Sequence, residues 1–139
     1  MILLDTNVVS EPLRSAPAAI VVAWINAQPL STLFLSAVTV AELRVGVARL
    51  PNGKRKAGLH EDLEQRLLPL FADRVLAFDL VCSQAYAQRV SIAGKVGRVI
   101  TGADAYIAAT AATHGFAVAT RDVSPFEAAG LQVINPWQT

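Results

Sequence analysis

The sequence is poor in the residues that build disulfide and zinc sites. It contains one cysteine, Cys82, and two histidines among 139 residues. A single cysteine excludes an intrachain disulfide and suits a reducing compartment such as the cytosol. Because no thiolates or imidazoles cluster in the sequence, it carries no zinc-binding pattern. We therefore look for any metal chemistry among oxygen ligands.

Charge and long hydrophobic runs are scarce as well. Charged residues make up 17% of the chain and the net charge is +1, so any contact with nucleic acid must come from local basic patches. The N-terminal MILLD reaches an acid at once, whereas a signal peptide needs a basic start and a longer apolar stretch. The run over residues 16–25 is too short to span a bilayer. We expect a cytoplasmic protein without a membrane segment.

Hydrophobic residues are abundant, at 53% of the chain, which excludes an intrinsically disordered protein. A length of 139 residues suits one compact domain over residues 1–139. The mean hydropathy of +0.42 is high for a small monomer. We therefore expect part of the surface to be buried in a homodimer.

Short apolar runs alternate with stretches of helical periodicity along the whole chain. The predicted strands cover residues 2–4, 32–36, 75–78, 116–120 and 131–134. The predicted helices cover residues 15–27, 38–50, 54–71, 80–93 and 101–114. Because the strands are apolar on both sides, the pattern predicts an α/β fold with a parallel sheet covered by helices on both faces. Ligands of such sheets bind beyond the carboxyl ends of the strands.

Four of the eleven acids occupy unusual positions in this pattern. Asp5 and Asp122 directly follow predicted strands, and Glu42 and Asp104 lie early in predicted helices among apolar residues. Ionised carboxylates in apolar surroundings are costly unless they are paired or bind a metal. The other acids have simpler interpretations, and Asp79, for example, is placed to cap the helix that follows it.

Each of these four acids also has a structural interpretation. Asp5 and Asp122 could cap turns, and Asp104 could interact with the dipole of its helix. Glu42 could form a surface ion pair with Arg44 or Arg49. Because strand ends and helix starts meet at one edge of a parallel sheet, we expect the four carboxylates to converge there instead.

Converging carboxylates repel one another, and a hard divalent cation such as Mg²⁺ or Mn²⁺ would hold them together. Without the metal, at least one acid should keep its proton to a higher pH than usual. Hydroxyl and amide groups that could orient the acids flank them in the sequence, at Thr6, Asn7, Ser36, Thr39 and Thr120. Metal-assisted hydrolysis of a phosphodiester is the typical chemistry of such a site.

Five segments of the chain together resemble a known family. LLDTNVVSE, TVAELRVGV, ADAYIAATA, VATRDVSPF and VINPW occur in the order found in PIN-domain nucleases and extend over nearly the whole chain. The closest likeness is to the VapC-type toxins of toxin–antitoxin pairs, and within these to the FitB-like branch. The resemblance implies a PIN-like three-layer fold, with a mostly parallel sheet of about five strands between helices.

The resemblance further implies an endoribonuclease that depends on Mg²⁺ or Mn²⁺. It carries over Asp5, Glu42 and Asp104 as the core acids, with Asp5 and Asp104 as the first choices for direct metal ligands. Asp122 is the fourth and more variable acid, and Thr120 is the hydroxyl residue that faces the site in many relatives. Relatives often have asparagine before the later acid, where this chain has arginine.

Partners are also implied by the resemblance. The family forms homodimers and is encoded beside a small antitoxin, whose C-terminal segment reaches the active site. Operator DNA is bound mainly through that antitoxin. The substrate would be RNA, and basic residues along the chain are candidates for its path: Arg14, Lys54, Arg55, Lys56, Lys95, Arg98 and Arg121.

Three other functions are alternatives to the nuclease. A phosphatase of the haloacid dehalogenase type needs a second acid two residues after the first, where this chain has Asn7. A receiver domain needs a lysine near its end, but the last lysine here is Lys95. The strongest alternative is an interaction module that forms a DNA-binding repressor complex with its antitoxin and has little nuclease activity. Its carboxylates would then receive an arginine or lysine of the partner.

Overall fold

The computed structural model describes residues 1–139 and contains a five-stranded sheet in which every neighbouring pair is parallel. The strand order is β3-β2-β1-β4-β5. The strands are β1 (Ile2–Leu4), β2 (Leu33–Ser36), β3 (Val75–Leu76), β4 (Ala117–Ala119) and β5 (Val133–Ile134). The predicted α/β fold with a parallel sheet is confirmed.

Seven α-helices surround the sheet. They are α1 (Thr6–Val9), α2 (Ala19–Ala27), α3 (Ala37–Ala48), α4 (Lys54–Glu61), α5 (Leu80–Lys95), α6 (Gly102–His114) and α7 (Val123–Ala128). None of them is long and apolar enough to cross a membrane. The side chain of Asp79 accepts a hydrogen bond of 3.0 Å from the backbone N–H of Cys82 at the start of α5, so the predicted cap is confirmed.

Two apolar cores lie on the two faces of the sheet, because successive side chains of a strand point to opposite faces. Leu3 belongs to one core with residues of α6 and α7, and Leu4 belongs to the other with residues of α1 and α3. Both leucines are fully buried. The central strand β1 is therefore fixed from both sides, and the residue that follows it has a well-defined position.

The predicted helix over 15–27 begins later than expected, at Ala19. The buried carboxylate of Glu11 accepts the N–H of Ala18, the residue just before α2, at 2.9 Å and so stabilises the chain at this start of the helix. Glu11 also forms an ion pair with Arg14, at 3.4 Å. The residues before Ala19, including Pro17, remain outside the helix.

The predicted helix over 54–71 is interrupted twice. The α-helix ends at Glu61, a π-helical segment spans Asp62–Leu67, and a 3₁₀ turn spans Leu68–Phe71. Proline at position 69 cannot donate a helix hydrogen bond, which accounts for the tight final turn. The short helices α1 and α7 were not predicted, because four and six residues are too few to show a periodic pattern.

Candidate active site

The four predicted acids are brought to the edge of the sheet where the strands end. Asp5 follows β1, Glu42 lies in the second turn of α3, Asp104 lies in the first turn of α6, and Asp122 precedes α7. Their charges interact: Asp104 and Glu42 act on Asp5, and Asp122 and Glu42 act on Asp104. The four carboxylates therefore form one electrostatic group, which we call the acidic cluster.

Asp5 is the buried member of the acidic cluster, with 5% of its surface exposed. One carboxylate oxygen accepts the N–H of Thr6 at 2.8 Å, and the other accepts the hydroxyl of Thr120 at 2.8 Å. Burial raises the pKa of Asp5 to about 6; these hydrogen bonds lower the pKa, and the charges of Asp104 and Glu42 raise it. Asp5 is thus held firmly in a place where its charge is poorly solvated.

Asn7 and Thr120 connect the end of β1 to the segment after β4. The side-chain carbonyl of Asn7 accepts the N–H of Arg121 at 3.2 Å, and its amide lies 3.4 Å from both Asp5 and Thr120. The Thr120 hydroxyl oxygen accepts the N–H of Asp122 at 3.0 Å. Thr6, Asn7 and Thr120, which the sequence placed beside the acids, all contact the acidic cluster.

The environment of Glu42 differs from the apolar one that was predicted, because the residue is exposed on α3. Its carboxylate accepts the Thr6 hydroxyl at 2.6 Å. The alternative of a surface ion pair with Arg44 or Arg49 is excluded, since Arg44 binds Glu64 at 2.9 Å and Arg49 forms no ion pair. Val45, which lies on the same face of α3 as Glu42, is exposed as well. The predicted apolar setting is therefore wrong for Glu42, and Asp122 is exposed too.

Asp104 is half-buried in the first turn of α6, where a negative charge also interacts favourably with the helix dipole. Its pKa is raised, mainly by burial and further by the charges of Asp122 and Glu42. The pKa values of Asp5 and Asp104 are both raised, which is the direction expected for crowded acids. Burial is the larger cause in both, and repulsion between carboxylates, which the sequence had suggested, is the smaller one.

The donor set of the acidic cluster has the chemistry that Mg²⁺ and Mn²⁺ prefer. Every candidate ligand is an oxygen, and none of the four acids takes part in an ion pair with lysine, arginine or histidine. As the side chains are arranged, no three of them surround a common point as metal ligands would. Glu42 and Asp122 are exposed and neither forms an ion pair, so the cluster fits a cation that draws these two acids toward Asp5 and Asp104.

A groove of about 330 Å³ begins at Thr6 and Glu42. Its floor is apolar, with Leu43 and Leu59 among the lining residues, and Arg14 and Arg55 also line it. Sequence reasoning placed these arginines among seven basic candidates but had no signal for choosing them. Another candidate, Arg121, instead lies over the ring of Trp137, with 5.1 Å to the ring centre.

Comparisons with known proteins agree with this geometry. A family model described as "PIN domain" matches residues 2–131. The chain is 58% identical to "Toxin FitB" of Neisseria gonorrhoeae over 137 residues, which is 99% of each chain. It is 57% identical to "VapC ribonuclease Y4jK" of Sinorhizobium fredii over 138 residues, again 99% of each chain.

The fold is also similar to that of a solved structure, "Structure of FitAB bound to IR36 DNA fragment". The TM-score is 0.95 at 56% sequence identity, and the match covers 99% of this chain and 96% of that one. The similarity therefore includes the strand order and helix arrangement that bring the acidic cluster together.

The raised pKa of Asp5 predicts how the stability of the metal-free protein depends on pH. In EDTA, the folded chain keeps a proton on Asp5 up to about pH 6, whereas the unfolded chain releases it near the ordinary value of 3.8. Raising the pH through this window therefore destabilises the wild type, by on the order of 3 kcal/mol in the free energy of unfolding. Asp5→Asn cannot titrate and should lack this contribution. Urea unfolding at several pH values between about 4 and 7 measures both.

Asp73→Asn, which removes an exposed acid outside the cluster, is the matched control and should follow the wild-type pH profile. If the stability of Asp5→Asn falls with pH as steeply as that of the wild type, burial does not hold the proton on Asp5.

Proposed function

Because this chain belongs to the PIN-domain family, we propose that it is a metal-dependent endoribonuclease that acts as the toxin of a toxin–antitoxin pair. The main support for this proposal is the environment of Asp5. Asp5 is buried without a counter-ion and lies in a cluster with three further carboxylates at the carboxyl edge of the sheet. Such an arrangement is unfavourable by itself, and a bound cation would offset the burial and repulsion of the carboxylates.

In this proposal Asp5 and Asp104 are the principal ligands of Mg²⁺ or Mn²⁺, and Glu42 and Asp122 complete the site. When bound, the cation offsets negative charge on the phosphodiester and makes water more acidic. Thr120 and the Thr6 N–H hold Asp5 in place with hydrogen bonds of 2.8 Å. Residues that fix the ligands in this way commonly tune metal affinity and activity.

The groove beside Glu42 supplies a path for the RNA. Arg14 and Arg55 line it and carry the positive charge that phosphate groups need, while its apolar floor can receive a base or a ribose. Phosphates on this path would approach the acidic cluster from the side of Thr6. The two arginines also offset part of the negative field of the four acids, which would otherwise repel RNA.

The nuclease is tested by removing one charge from the cluster. Asp104→Asn keeps the size of the side chain and relieves repulsion between the acids. The free energy of unfolding of the metal-free protein should therefore stay close to the wild-type value or rise slightly. Stabilisation by Mn²⁺ in thermal unfolding should disappear, and RNA cleavage should fall by roughly 10²-fold or more, since a ligand is lost. The measurements are thermal unfolding with and without Mn²⁺ and a cleavage assay on purified, partner-free protein.

Asp73→Asn again serves as the control and should behave like the wild type in both assays. The assignment fails if Asp104→Asn is stabilised by Mn²⁺ as strongly as the wild type and still cuts RNA. If the wild type with Mn²⁺ cuts no RNA, the protein is an interaction module rather than a nuclease. The solved structure of FitAB bound to a DNA fragment supports the DNA-binding part of that alternative but says nothing about nuclease activity.

The toxin role predicts a partner of defined chemistry. A neighbouring gene should encode a small antitoxin with a DNA-binding N-terminus and an arginine or lysine in its C-terminal segment. That cation would enter the acidic cluster in place of metal, since guanidinium groups pair strongly with carboxylates. Operator DNA would be bound through this complex. Expression of the chain alone should stop growth, and co-expression of the neighbouring gene should restore it.

Expression of Asp5→Asn without the antitoxin is the control and should be harmless. Normal growth during expression of the wild type, at a level that yields active nuclease after purification, would contradict the toxin role while leaving the nuclease intact.

Exposed apolar side chains support a homodimer. Leu80 and Val81 at the start of α5 are 87% and 61% exposed, and Val96 and Val99 just after its end are 68% and 81% exposed. Large apolar groups left in water are typical of surfaces that other subunits cover. We expect a dimer in light scattering at micromolar concentration. Leu80→Asp and Val99→Asp should weaken it, and Ile20→Asp, at another exposed apolar position, should not.

A monomeric wild type would refute the dimer. A dimer that resists both Leu80→Asp and Val99→Asp would refute the ends of α5 as its interface.

A further inference from the structure

A line of hydroxyl groups leads from the protein interior to Glu42. Thr39 is fully buried, and its hydroxyl oxygen lies 3.2 Å from that of Ser36 and 3.4 Å from that of Thr6. The Thr6 hydroxyl in turn lies 2.6 Å from the Glu42 carboxylate. These contacts connect the start of α3 with α1 and then return to the second turn of α3.

The number of protons fixes the direction of these hydrogen bonds. Each hydroxyl has one proton, and an ionised carboxylate has none, so Thr6 donates to Glu42. The Thr6 proton is then used, so in its contact with Thr39 the donor must be Thr39. For the same reason Ser36 donates to Thr39, while the Ser36 oxygen accepts the N–H of Thr39 at 3.0 Å. All the donors therefore point toward Glu42.

Thr39 lies in the first turn of α3, three residues after Ser36, which caps the helix. In α6, the hydroxyls of Thr110 and Thr113 each bind the backbone carbonyl four residues earlier, at 2.8 and 2.9 Å. That bond is the common one for helical threonines. Four residues before Thr39 stands Leu35 in β2, so no carbonyl of α3 is available to the Thr39 hydroxyl. Its neighbours are instead the hydroxyls of Ser36, in the same turn, and Thr6, in α1.

Glu42 depends on this line of hydroxyls for its orientation. It is exposed, and the Thr6 hydroxyl is the one group that donates a hydrogen bond to its carboxylate. A donor to the Thr6 oxygen favours the orientation in which the Thr6 proton points at Glu42, and Thr39, at 3.4 Å, is placed to be that donor. We propose that Thr39 is a positioning residue, which directs the Thr6 hydroxyl and through it holds Glu42 toward the acidic cluster. The inference rests on the proposed metal site and adds a buried residue to it.

The test replaces the hydroxyl of Thr39 while keeping its shape. Thr39→Val should weaken Mn²⁺ binding by about tenfold in isothermal titration calorimetry and lower kcat for RNA cleavage by a similar factor. The KM for RNA should change little, since Thr39 is buried and cannot touch the substrate. Thr39→Ser retains the hydroxyl and should bind Mn²⁺ and cut RNA nearly as well as the wild type.

Thr110→Val is the matched control, because Thr110 is equally buried and its hydroxyl binds only its own helix. It should lose stability as Thr39→Val does but keep Mn²⁺ affinity and kcat. A second control is the double variant with Glu42→Gln. If Thr39 acts through Glu42, Thr39→Val should have no further effect on Mn²⁺ affinity in that background.

The proposal is overturned if Thr39→Val binds Mn²⁺ like the wild type, or if its effects equal those of Thr110→Val. Full additivity with Glu42→Gln would also overturn it. Should Thr39→Val fail to fold, Thr6→Val at the half-buried end of the line must produce the same loss of Mn²⁺ affinity. A wild type that binds Mn²⁺ but cuts no RNA would refute the nuclease, and the calorimetric comparison would still decide the role of Thr39.

Discussion

Burial of the Asp5 carboxylate is the constraint around which the carboxyl edge of the sheet is built. A charge taken out of water is costly unless hydrogen bonds replace the lost hydration. Here the replacements come from the N–H of Thr6 and the hydroxyl of Thr120. Because one donor opens α1 and the other follows β4, the bonds that satisfy Asp5 also fix the distance between these two segments. The neighbouring N–H of Asp122 is then bound by the same Thr120 oxygen, so the start of α7 is placed as well.

The sheet could be predicted from the sequence because its strands carry the information locally. Ile2–Leu4 and Ala117–Ala119 are apolar on both sides, and that pattern has one main meaning, a parallel strand buried on both faces. The missing elements are those whose formation depends on distant contacts. The four residues of α1 form a helix because Asp5 caps it and because Val8 and Val9 pack into a core. No local pattern encodes those contacts.

The candidate site was predictable to the extent that position in the fold decides it. Asp5, Glu42, Asp104 and Asp122 were identified because strand ends and helix starts meet at one edge. Their environments could not be predicted in the same way. Glu42 is exposed although most of its neighbours in the sequence are apolar, and Val45 on the same face of α3 is exposed as well. The binding of the Arg121 N–H by Asn7 joins residues 114 positions apart, and only the folded chain reveals it.

Two hydrogen-bond networks give the four acids unequal freedom, and this inequality matters for a site that must gather like charges. Asp5 is immobilised by hydrogen bonds from Thr6 and Thr120. The free-energy cost of burying its carboxylate is therefore already included in the stability of the folded chain. Glu42 is held by a single hydroxyl, and Asp122 is exposed with no ion pair. If all four acids were fixed close together, their repulsion would oppose folding; if all were free, ordering them would weaken cation binding. One fixed acid with exposed partners avoids both penalties, because the remaining charges need to approach only when a cation is there to offset them.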